Sequence, residues 1–210
     1  LQFVEPGNPI PADTNLIIIP GTKSTIADLK FLRYQGWDID IKAHYRRGGS
    51  ILGICGGYQI LGNEIIDDQG YDGTPSKAKG LGLLKVKTKM GKEKNLGKKE
   101  FISTIKGKTS AGYEIHLGIT SGSDCNNPFA ILSNKKDGAI SSNGLVMGTY
   151  LHGLFFSDEF RNNFVAKLSS EEKKEDISFH DSIEFILEEF VRVIEDNLDV
   201  DSILSVARNI

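Results

Sequence analysis

The feature that most constrains the fold is Gly53-Ile54-Cys55-Gly56-Gly57, a cysteine framed by glycines. It ends the apolar run that starts at Ser50, and a helix-like stretch, 56–65, begins directly after the cysteine. A short apolar run ended by glycine is typical of a buried parallel strand. A sharp strand-to-helix turn holds its central residue in strained backbone geometry, and glycine neighbours remove the clashes of Cβ atoms. The pattern therefore predicts a cysteine nucleophile on a Gly-x-Cys-x-Gly turn.

The position of Cys55 predicts its chemical environment. The carboxyl end of a strand is where open α/β sheets bind ligands. A helix N-terminus favours thiolate over thiol, and the Gly56 N–H would point into the same space, where it could stabilise an oxyanion. The alternative is a buried structural cysteine, which is the common state of a free cysteine. The glycine framing favours the nucleophile.

The order of the segments predicts an α/β fold. A second apolar run, 15–20, is ended by Pro and the Gly that follows, which predicts a fully buried parallel strand. The segment 27–37 has a helical face that includes Trp37. Strand and helix in alternation indicate right-handed crossovers, so we expect a three-layer sandwich with a largely parallel central sheet. Four later segments have the pattern of strands: 80–88, 112–120, 129–133 and 145–155.

A cysteine nucleophile needs a base, and four histidines are available. His152, in the segment GTYLHG, ends a late apolar strand beside a glycine, and His116, in YEIHLG, is the second candidate. His44 and His180 have helical surface contexts and are expected to be bystanders. A lone strand histidine is more often structural, so the residues by themselves leave the choice of base open.

Two stretches differ in charge from the rest of the chain. Residues 85–108 carry nine lysines, which we interpret as a solvated hairpin or loop; the alternative is a patch that steers an anion or docks a partner. The tail from Glu171 is acidic and contains an apolar face with helical spacing. We expect this face to pack in the core; its residues are Phe179, Ile183, Ile186, Leu187, Phe190 and Ile194. A short final helix should follow, with Asp199 or Asp201 near its N-cap.

Composition excludes several classes of protein. The formal net charge of −3 does not suit a dedicated nucleic-acid binder. No apolar run approaches the roughly 20 residues that cross a bilayer, and the start has no secretory signal, so we expect a cytoplasmic protein. A disulfide between Cys55 and Cys125 is not expected there. The first residue is Leu1 rather than Met, which leads us to expect a chain cut from a longer one.

Four motifs together resemble a known family. GICGGYQ and GTYLHG are similar to the triad-type (class I) glutamine amidotransferases. Together with PGTKST and YEIHLG, they resemble the carboxyl-terminal amidotransferase domains of the cobyric acid synthase family, and the four motifs appear in that family's order. The resemblance covers nearly the whole chain. It implies one amidotransferase domain over 1–210, with a core of about 1–168 and an acidic helical segment of about 171–210, and an N-terminal synthetase domain that is absent from this sequence.

The resemblance also implies a mechanism and a set of site residues. Cys55 would attack the side-chain carboxamide of glutamine and form a γ-glutamyl thioester, and His152 would act as the base and then as the acid. The remaining roles fall on two groups of residues: an oxyanion hole of Gly21, Thr22 and Gly56, and glutamine contacts from Gln59, Gly57 and His116.

The sequence departs from the triad pattern at one position. Many amidotransferases carry Glu two residues after the catalytic histidine, and here that position is Leu154. Three carboxylates are candidates for orienting His152, namely Glu114, Asp158 and Glu159. A Cys–His pair that works without a carboxylate is the alternative.

The acceptor of the ammonia is implied by the resemblance alone. Ammonia would pass to an ATP-dependent synthetase that amidates corrin carboxylates, and ATP and Mg²⁺ would belong to that synthetase domain. We expect no metal and no organic cofactor in this domain, because no metal-ligand spacing is visible. The alternatives are an amidotransferase for another acceptor, such as lipid II isoglutamine, a catalytically silent binding module, and a cysteine hydrolase or chaperone-like relative.

Overall fold

The computed structural model describes residues 1–105, 109–133, 135–168 and 178–208. The α-helices in these residues are Thr25–Tyr34 (α1), Trp37–Arg46 (α2), Gly56–Leu61 (α3), Asp158–Leu168 (α4), Phe179–Asn197 (α5) and Val200–Arg208 (α6). The strands are Leu16–Ile19 (β1), Ser50–Ile54 (β2), Glu64–Asp67 (β3), Ser76–Lys79 (β4), Val86–Ser103 (β5), Thr109–Gly122 (β6), Ala130–Leu132 (β7), Lys136–Asp137 (β8), Ala139–Ile140 (β9), Val146–Thr149 (β10) and Leu151–His152 (β11). Short 3-10 helices span Ser123–Asn126 and Leu154–Phe156. Among the helices of the described residues, none combines the length and the hydrophobicity that a membrane span requires.

The central sheet has the strand order β1-β2-β10-β9. Strand β2 is parallel to both β1 and β10, and β9 pairs with β10 in the antiparallel sense. This sheet confirms the predicted α/β class with a largely parallel central sheet. It also brings the carboxyl ends of β2 and β10 side by side, since Ile54 pairs with Thr149.

Both faces of the central sheet are covered. Neighbouring side chains of β2 point to opposite faces, and each face packs against other elements. Ile51 packs with helix residues that include Leu29 of α1 and Ile41 of α2. Leu52 packs on the other face in a cluster with Phe101 of β5 and Phe160 of α4. The helices α1 to α3 therefore form one outer layer, and α4 forms the other together with β5 and β7.

A second sheet, which the sequence patterns did not predict as a sheet, has the order β11-β6-β5-β3-β4, with β7 and β8 at its side. Most of its pairings are antiparallel. The lysine-rich stretch supplies β5, which pairs along most of its length with β6, so a solvated hairpin is confirmed for the described residues. Residues 106–108 lie outside them. The strand predicted over 80–88 begins only at Val86.

Three local predictions were wrong in extent. Helix α3 ends at Leu61 rather than near 65, because Gly62 has extended backbone and Glu64–Asp67 continues as β3. Trp37 starts α2 instead of ending α1, since the left-handed Gly36 (φ 75°) separates the two helices. Ile18 is 36% exposed, so the run 15–20 is not buried on both faces. Strand β1 lies at the edge of its sheet.

The acidic tail forms the predicted helices but does not pack as predicted. Helices α5 and α6 contain no buried residue, so the apolar face expected in the core is exposed. The N-cap of α6 is Asp199, whose carboxylate accepts the N–H of Ser202 at 3.0 Å. Residues 169–177 and 209–210, the remainder of the predicted acidic segment, lie outside the described residues.

The turn after β2 depends on close backbone approach at Gly57. A Cβ there would lie 2.0 Å from the carbonyl oxygen of Ile19, a distance that no side chain can occupy. We expect Gly57→Ala to lower the free energy of unfolding by about 1–3 kcal/mol, the usual cost of overpacking. Urea denaturation measures this change. The control Gly97→Ala, where a Cβ meets nothing within 4 Å, should stay within about 0.5 kcal/mol. Equal effects of the two substitutions would contradict the account.

Candidate active site

Cys55 occupies the strained turn between β2 and α3. Its backbone angles are φ 53° and ψ −111°, and within the described residues it is the one non-glycine residue with positive φ. Such a conformation costs on the order of 1–3 kcal/mol and persists where its surroundings fix it. Here the Cys55 N–H donates to the carbonyl of Thr149 at 2.8 Å. The predicted strand-to-helix turn is therefore confirmed, and it is tied to the end of β10.

The loop after β1 closes over this turn. A Cβ at Gly56 would lie 2.2 Å from Cγ2 of Thr22, and a Cβ at Gly21 would lie 3.1 Å from Cε1 of His152 and 3.4 Å from Cβ of Cys55. Glycine at both positions thus permits the loop, the turn and the histidine to meet. The structure brings together five of the residues predicted from sequence, namely Gly21, Thr22, Cys55, Gly56 and His152.

The thiol of Cys55 is buried, and its pKa is raised. The residue is 8% exposed, and its Sγ donates to the carbonyl oxygen of Ile115 at 3.3 Å. Burial raises the pKa of the thiol; the N–H of Gly56 lowers it, and the carboxylate of Asp72 raises it again. The net direction is opposite to the thiolate that we expected from the helix N-terminus. Helix α3 has six residues, and burial of the charge dominates the effect of its dipole.

His152 ends β11, where it pairs with Tyr113 of β6. The two rings are stacked with centroids 5.1 Å apart and an interplanar angle of 13°. Burial lowers the pKa of His152, and a hydrogen bond to the backbone of Ile115 raises it. Its Nε2 is buried without a hydrogen-bond partner among the described residues. A neutral imidazole with one uncommitted nitrogen, beside a protonated thiol, has the properties of a general base.

The described residues favour orientation of His152 by a backbone carbonyl. The pKa of His152 responds to burial and to Ile115, with no contribution from a carboxylate. Glu114 lies on the opposite face of β6, since Glu114 pairs with Leu151 and side chains alternate along a strand. The carboxylate of Asp158 accepts hydrogen bonds from Arg161 and from the N–H of Phe179. The orienting group, for which Glu159 is the third candidate carboxylate, stays a prediction.

His116 and Glu114 line a cavity of about 240 Å³ on the other face of β6. Nζ of Lys135 lies 2.8 Å from Oε1 of Glu114, and Nε2 of His116 lies 3.8 Å from the same oxygen. The ring of His116 stacks on Tyr150 with centroids 3.7 Å apart. Neither ring nitrogen of His116 has a hydrogen-bond partner among the residues described. His116 is thus separated from the face that carries His152, and its contact with glutamine stays a prediction.

Gln59 lies in the core with its amide fully engaged. Its Nε2 donates to the carbonyl of Leu117 at 3.0 Å and to the hydroxyl of Tyr150 at 3.1 Å, and its Oε1 accepts from Thr25 at 3.1 Å. These bonds tie α3 to α1 and β6. The glutamine contacts expected of Gln59 and Gly57 stay predictions.

One bystander histidine has a different environment from the one expected. His44 is buried rather than on the helix surface, and its Nε2 lies 3.0 Å from the carbonyl oxygen of Ser50. It therefore holds α2 against the start of β2. His180 is exposed on α5, as predicted.

Three residues of the site were missed by sequence reasoning. Ile115 acts through its carbonyl, which leaves no mark in a sequence. Tyr113 and Ile115 are two residues apart, so they lie on one face of a strand. This alternation could have identified Tyr113 as a residue of the site. Asp137 is buried and accepts hydrogen bonds from the Thr149 hydroxyl and the Tyr150 N–H. It fixes the segment that leads from β10 to His152.

The fold and the site together define an α/β protein with a cysteine on a strand-to-helix turn and a histidine at a neighbouring strand end. Residues 1–160 match the family of CobB/CobQ-like glutamine amidotransferase domains, and the chain belongs to that family.

The chain is similar along nearly its whole length to two cobyric acid synthases. It is 48% identical to that of Cereibacter sphaeroides over 206 residues, which are 98% of this chain and 42% of the relative. It is 49% identical to that of Bradyrhizobium diazoefficiens over 208 residues, 99% of this chain and 43% of the relative. The chain thus spans about two fifths of the length of these curated relatives.

The fold is also shared with a solved structure described as a glutamine amidotransferase. The TM-score is 0.54 at 18% identity, and the match covers 76% of this chain and 82% of that chain. At this identity the likeness supports the fold and nothing further.

The buried carboxyl of Asp137 predicts a pH dependence of stability. Burial raises its pKa to about 6, against a hydrogen bond from Thr149 that lowers it. The folded form therefore holds the proton more tightly than the unfolded form, so Asp137 costs stability progressively as pH rises from about 4 to about 6. Relative to the wild type, Asp137→Asn should gain about 2–3 kcal/mol between pH 4 and pH 7. Urea denaturation across this range measures the difference, and a difference independent of pH would contradict the assignment.

Proposed function

We propose that this chain hydrolyses glutamine to glutamate and ammonia, with Cys55 as nucleophile and His152 as general base and acid. The observation that carries the proposal is the meeting of three elements. The strained turn holds the thiol, β11 holds an imidazole with an uncommitted nitrogen, and the Gly21 loop lies against both. Membership of the CobB/CobQ-like amidotransferase family supports glutamine as the substrate.

The first step is attack on the carboxamide. The raised pKa of Cys55 leaves the thiol protonated, so His152 takes its proton through Nε2 as the C–S bond forms. The carbonyl of glutamine becomes an oxyanion. The Gly56 N–H, which already points at the sulfur, and an N–H of the loop at Gly21 and Thr22 would stabilise it.

The next steps release the two products. The oxyanion collapses, the C–N bond breaks, and protonated His152 gives its proton to the leaving nitrogen, which departs as ammonia. A γ-glutamyl thioester remains on Cys55. Water then attacks the thioester as His152 removes a proton, the C–S bond breaks, and glutamate leaves with the thiol restored. The hydrogen bond to the Ile115 carbonyl keeps the imidazole oriented throughout.

The relatives support a corrin as the acceptor of the ammonia. Both cobyric acid synthases match nearly the whole chain and are more than twice its length. We propose that ammonia passes to a synthetase segment of the full-length protein, which uses ATP and Mg²⁺ to amidate corrin carboxylates in cobalamin biosynthesis. These names favour a corrin over lipid II, the alternative acceptor considered from the sequence.

The nucleophile is tested by trapping with 6-diazo-5-oxo-L-norleucine, a reactive analogue of glutamine. We expect one adduct on the peptide that contains Cys55, because the analogue should bind as glutamine does and alkylate the attacking sulfur. Peptide mass spectrometry locates the adduct. Cys125→Ser should retain it and Cys55→Ser should lose it. Absence of the adduct, persisting after the synthetase segment is restored, would favour a silent binding module.

The base is tested by the kinetics of His152→Asn. Loss of a general base should lower kcat/KM for glutamate release by about 10²–10⁴-fold. Burial lowers the pKa of His152, so the wild type should lose activity only as pH falls below the ordinary pKa of a histidine and the imidazole becomes protonated. The exposed His180→Asn is the matched control and should behave as the wild type. An unchanged rate in His152→Asn, or an acid limb above pH 7, would contradict the assignment.

A further inference from the structure

Helices α5 and α6 present an apolar surface that no described residue covers. We define the tail stripe as the apolar residues that share one face of α5 by their spacing: Ile183, Ile186, Leu187, Phe190, Val193 and Ile194. None of them is buried, and Ile186 and Phe190 are 64% and 60% exposed. In α6, Ile203 and Leu204 are likewise exposed.

The start of α5 is nevertheless held by residues of α4 and of the 3-10 helix before it. The ring of Phe179 stacks on Phe156 with centroids 5.3 Å apart, and its N–H donates to the carboxylate of Asp158 at 2.9 Å. The guanidinium of Arg161 lies 5.9 Å from the centre of the Phe179 ring. Ser178 caps the helix by accepting the N–H of Asp181. The tail stripe is therefore carried on a helix with a defined origin.

Exposure of this stripe is costly for a helix without a partner. Burial of one large apolar side chain contributes about 1.5–3 kcal/mol, and contiguous exposed apolar patches mark interaction sites. An amphipathic helix that lays one face into an apolar groove is a common mode of recognition.

The extent of the similarities indicates what occupies the stripe. The family match ends at residue 160, before α5 begins, so the amidotransferase domain of the family does not include the tail. The similarity to the cobyric acid synthases covers 98–99% of the chain and thus includes α5 and most or all of α6. The tail is therefore shared with the longer proteins and lies outside the amidotransferase domain that defines the family. This points to the additional segment of those proteins as its partner.

The charge of the tail specifies the partner surface and disfavours self-association. Residues 178–208 hold eight carboxylates and two arginines. Glu184 and Glu189 flank the tail stripe by their helical spacing. Two copies meeting along this face would bring acidic helices together, whereas a groove edged with Lys and Arg would complement them.

We propose that the tail stripe docks into an apolar groove with a basic rim on the synthetase segment of the full-length protein. The inference rests on the proposed function, which supplies that segment as the partner. The docked tail would hold the amidotransferase domain beside the synthetase.

Hydrogen–deuterium exchange on the full-length protein, compared with the 210-residue chain, tests the docking. Amides of residues 183–194 should exchange at least about tenfold more slowly in the full-length protein, because docking suppresses local opening. Ile186→Gln with Phe190→Gln should abolish this protection. The control Glu188→Gln, on the far face of the same helix, should retain it. Circular dichroism of each variant as the 210-residue chain establishes that α5 still forms.

Two outcomes would overturn the proposal. One is equal exchange of residues 183–194 in both proteins, and the other is protection in the 210-residue chain that grows with protein concentration, which identifies a second copy as the occupant. Trapping of Cys55 with the glutamine analogue, run on the same samples, separates the two levels. Trapping without protection overturns the docking alone, while loss of trapping in both proteins overturns the proposed function.

Discussion

The hydrogen bond from the Cys55 N–H to the Thr149 carbonyl is the contact on which the site depends. It holds the strained turn at the end of β2 against the end of β10, where the parallel register pairs Ile54 with Thr149. His152 follows three residues after Thr149. The separation of the Cys55 thiol from the His152 imidazole is therefore constrained by the pairing of β2 with β10. Asp137 reinforces the arrangement, because it binds the Thr149 hydroxyl and the Tyr150 N–H on the same segment.

The second sheet supplies a backbone carbonyl that acts on both Cys55 and His152. Strand β6 delivers the Ile115 carbonyl, which accepts a hydrogen bond from the thiol and raises the pKa of His152 by a second bond. One backbone carbonyl thus contacts Cys55 and acts on the pKa of His152. The position of β6 is held by the ion pair of Glu114 with Lys135 and by the hydrogen bond from Gln59 to the Leu117 carbonyl. The buried polar residues of YEIHLG and GICGGYQ therefore have a structural role that is visible without any ligand.

The parts of the structure that sequence reasoning predicted are those with local signatures. Glycine framing marked the turn at Cys55, apolar runs marked β1, β2 and β10, and helical spacing marked α5. Long-range packing left no such signature. The Ile115 carbonyl is independent of side-chain type, and the direction of the Cys55 pKa depends on burial, which the helix N-terminus alone does not indicate. Spacing identified the apolar face of α5 but not what covers it, because an amphipathic pattern is the same whether its partner is the core or another segment.

The most direct test of the account is detection of the covalent intermediate. The chain, joined to the synthetase segment that we propose for the full-length protein, would be mixed with glutamine and quenched in acid within the first turnover. Peptide mass spectrometry would then locate any covalent group. We expect a γ-glutamyl group on the peptide that contains Cys55, and neither the group nor glutamate release in Cys55→Ser. A glutamyl group on another residue, or glutamine hydrolysis at the wild-type rate in Cys55→Ser, would contradict the central claim that Cys55 is the nucleophile.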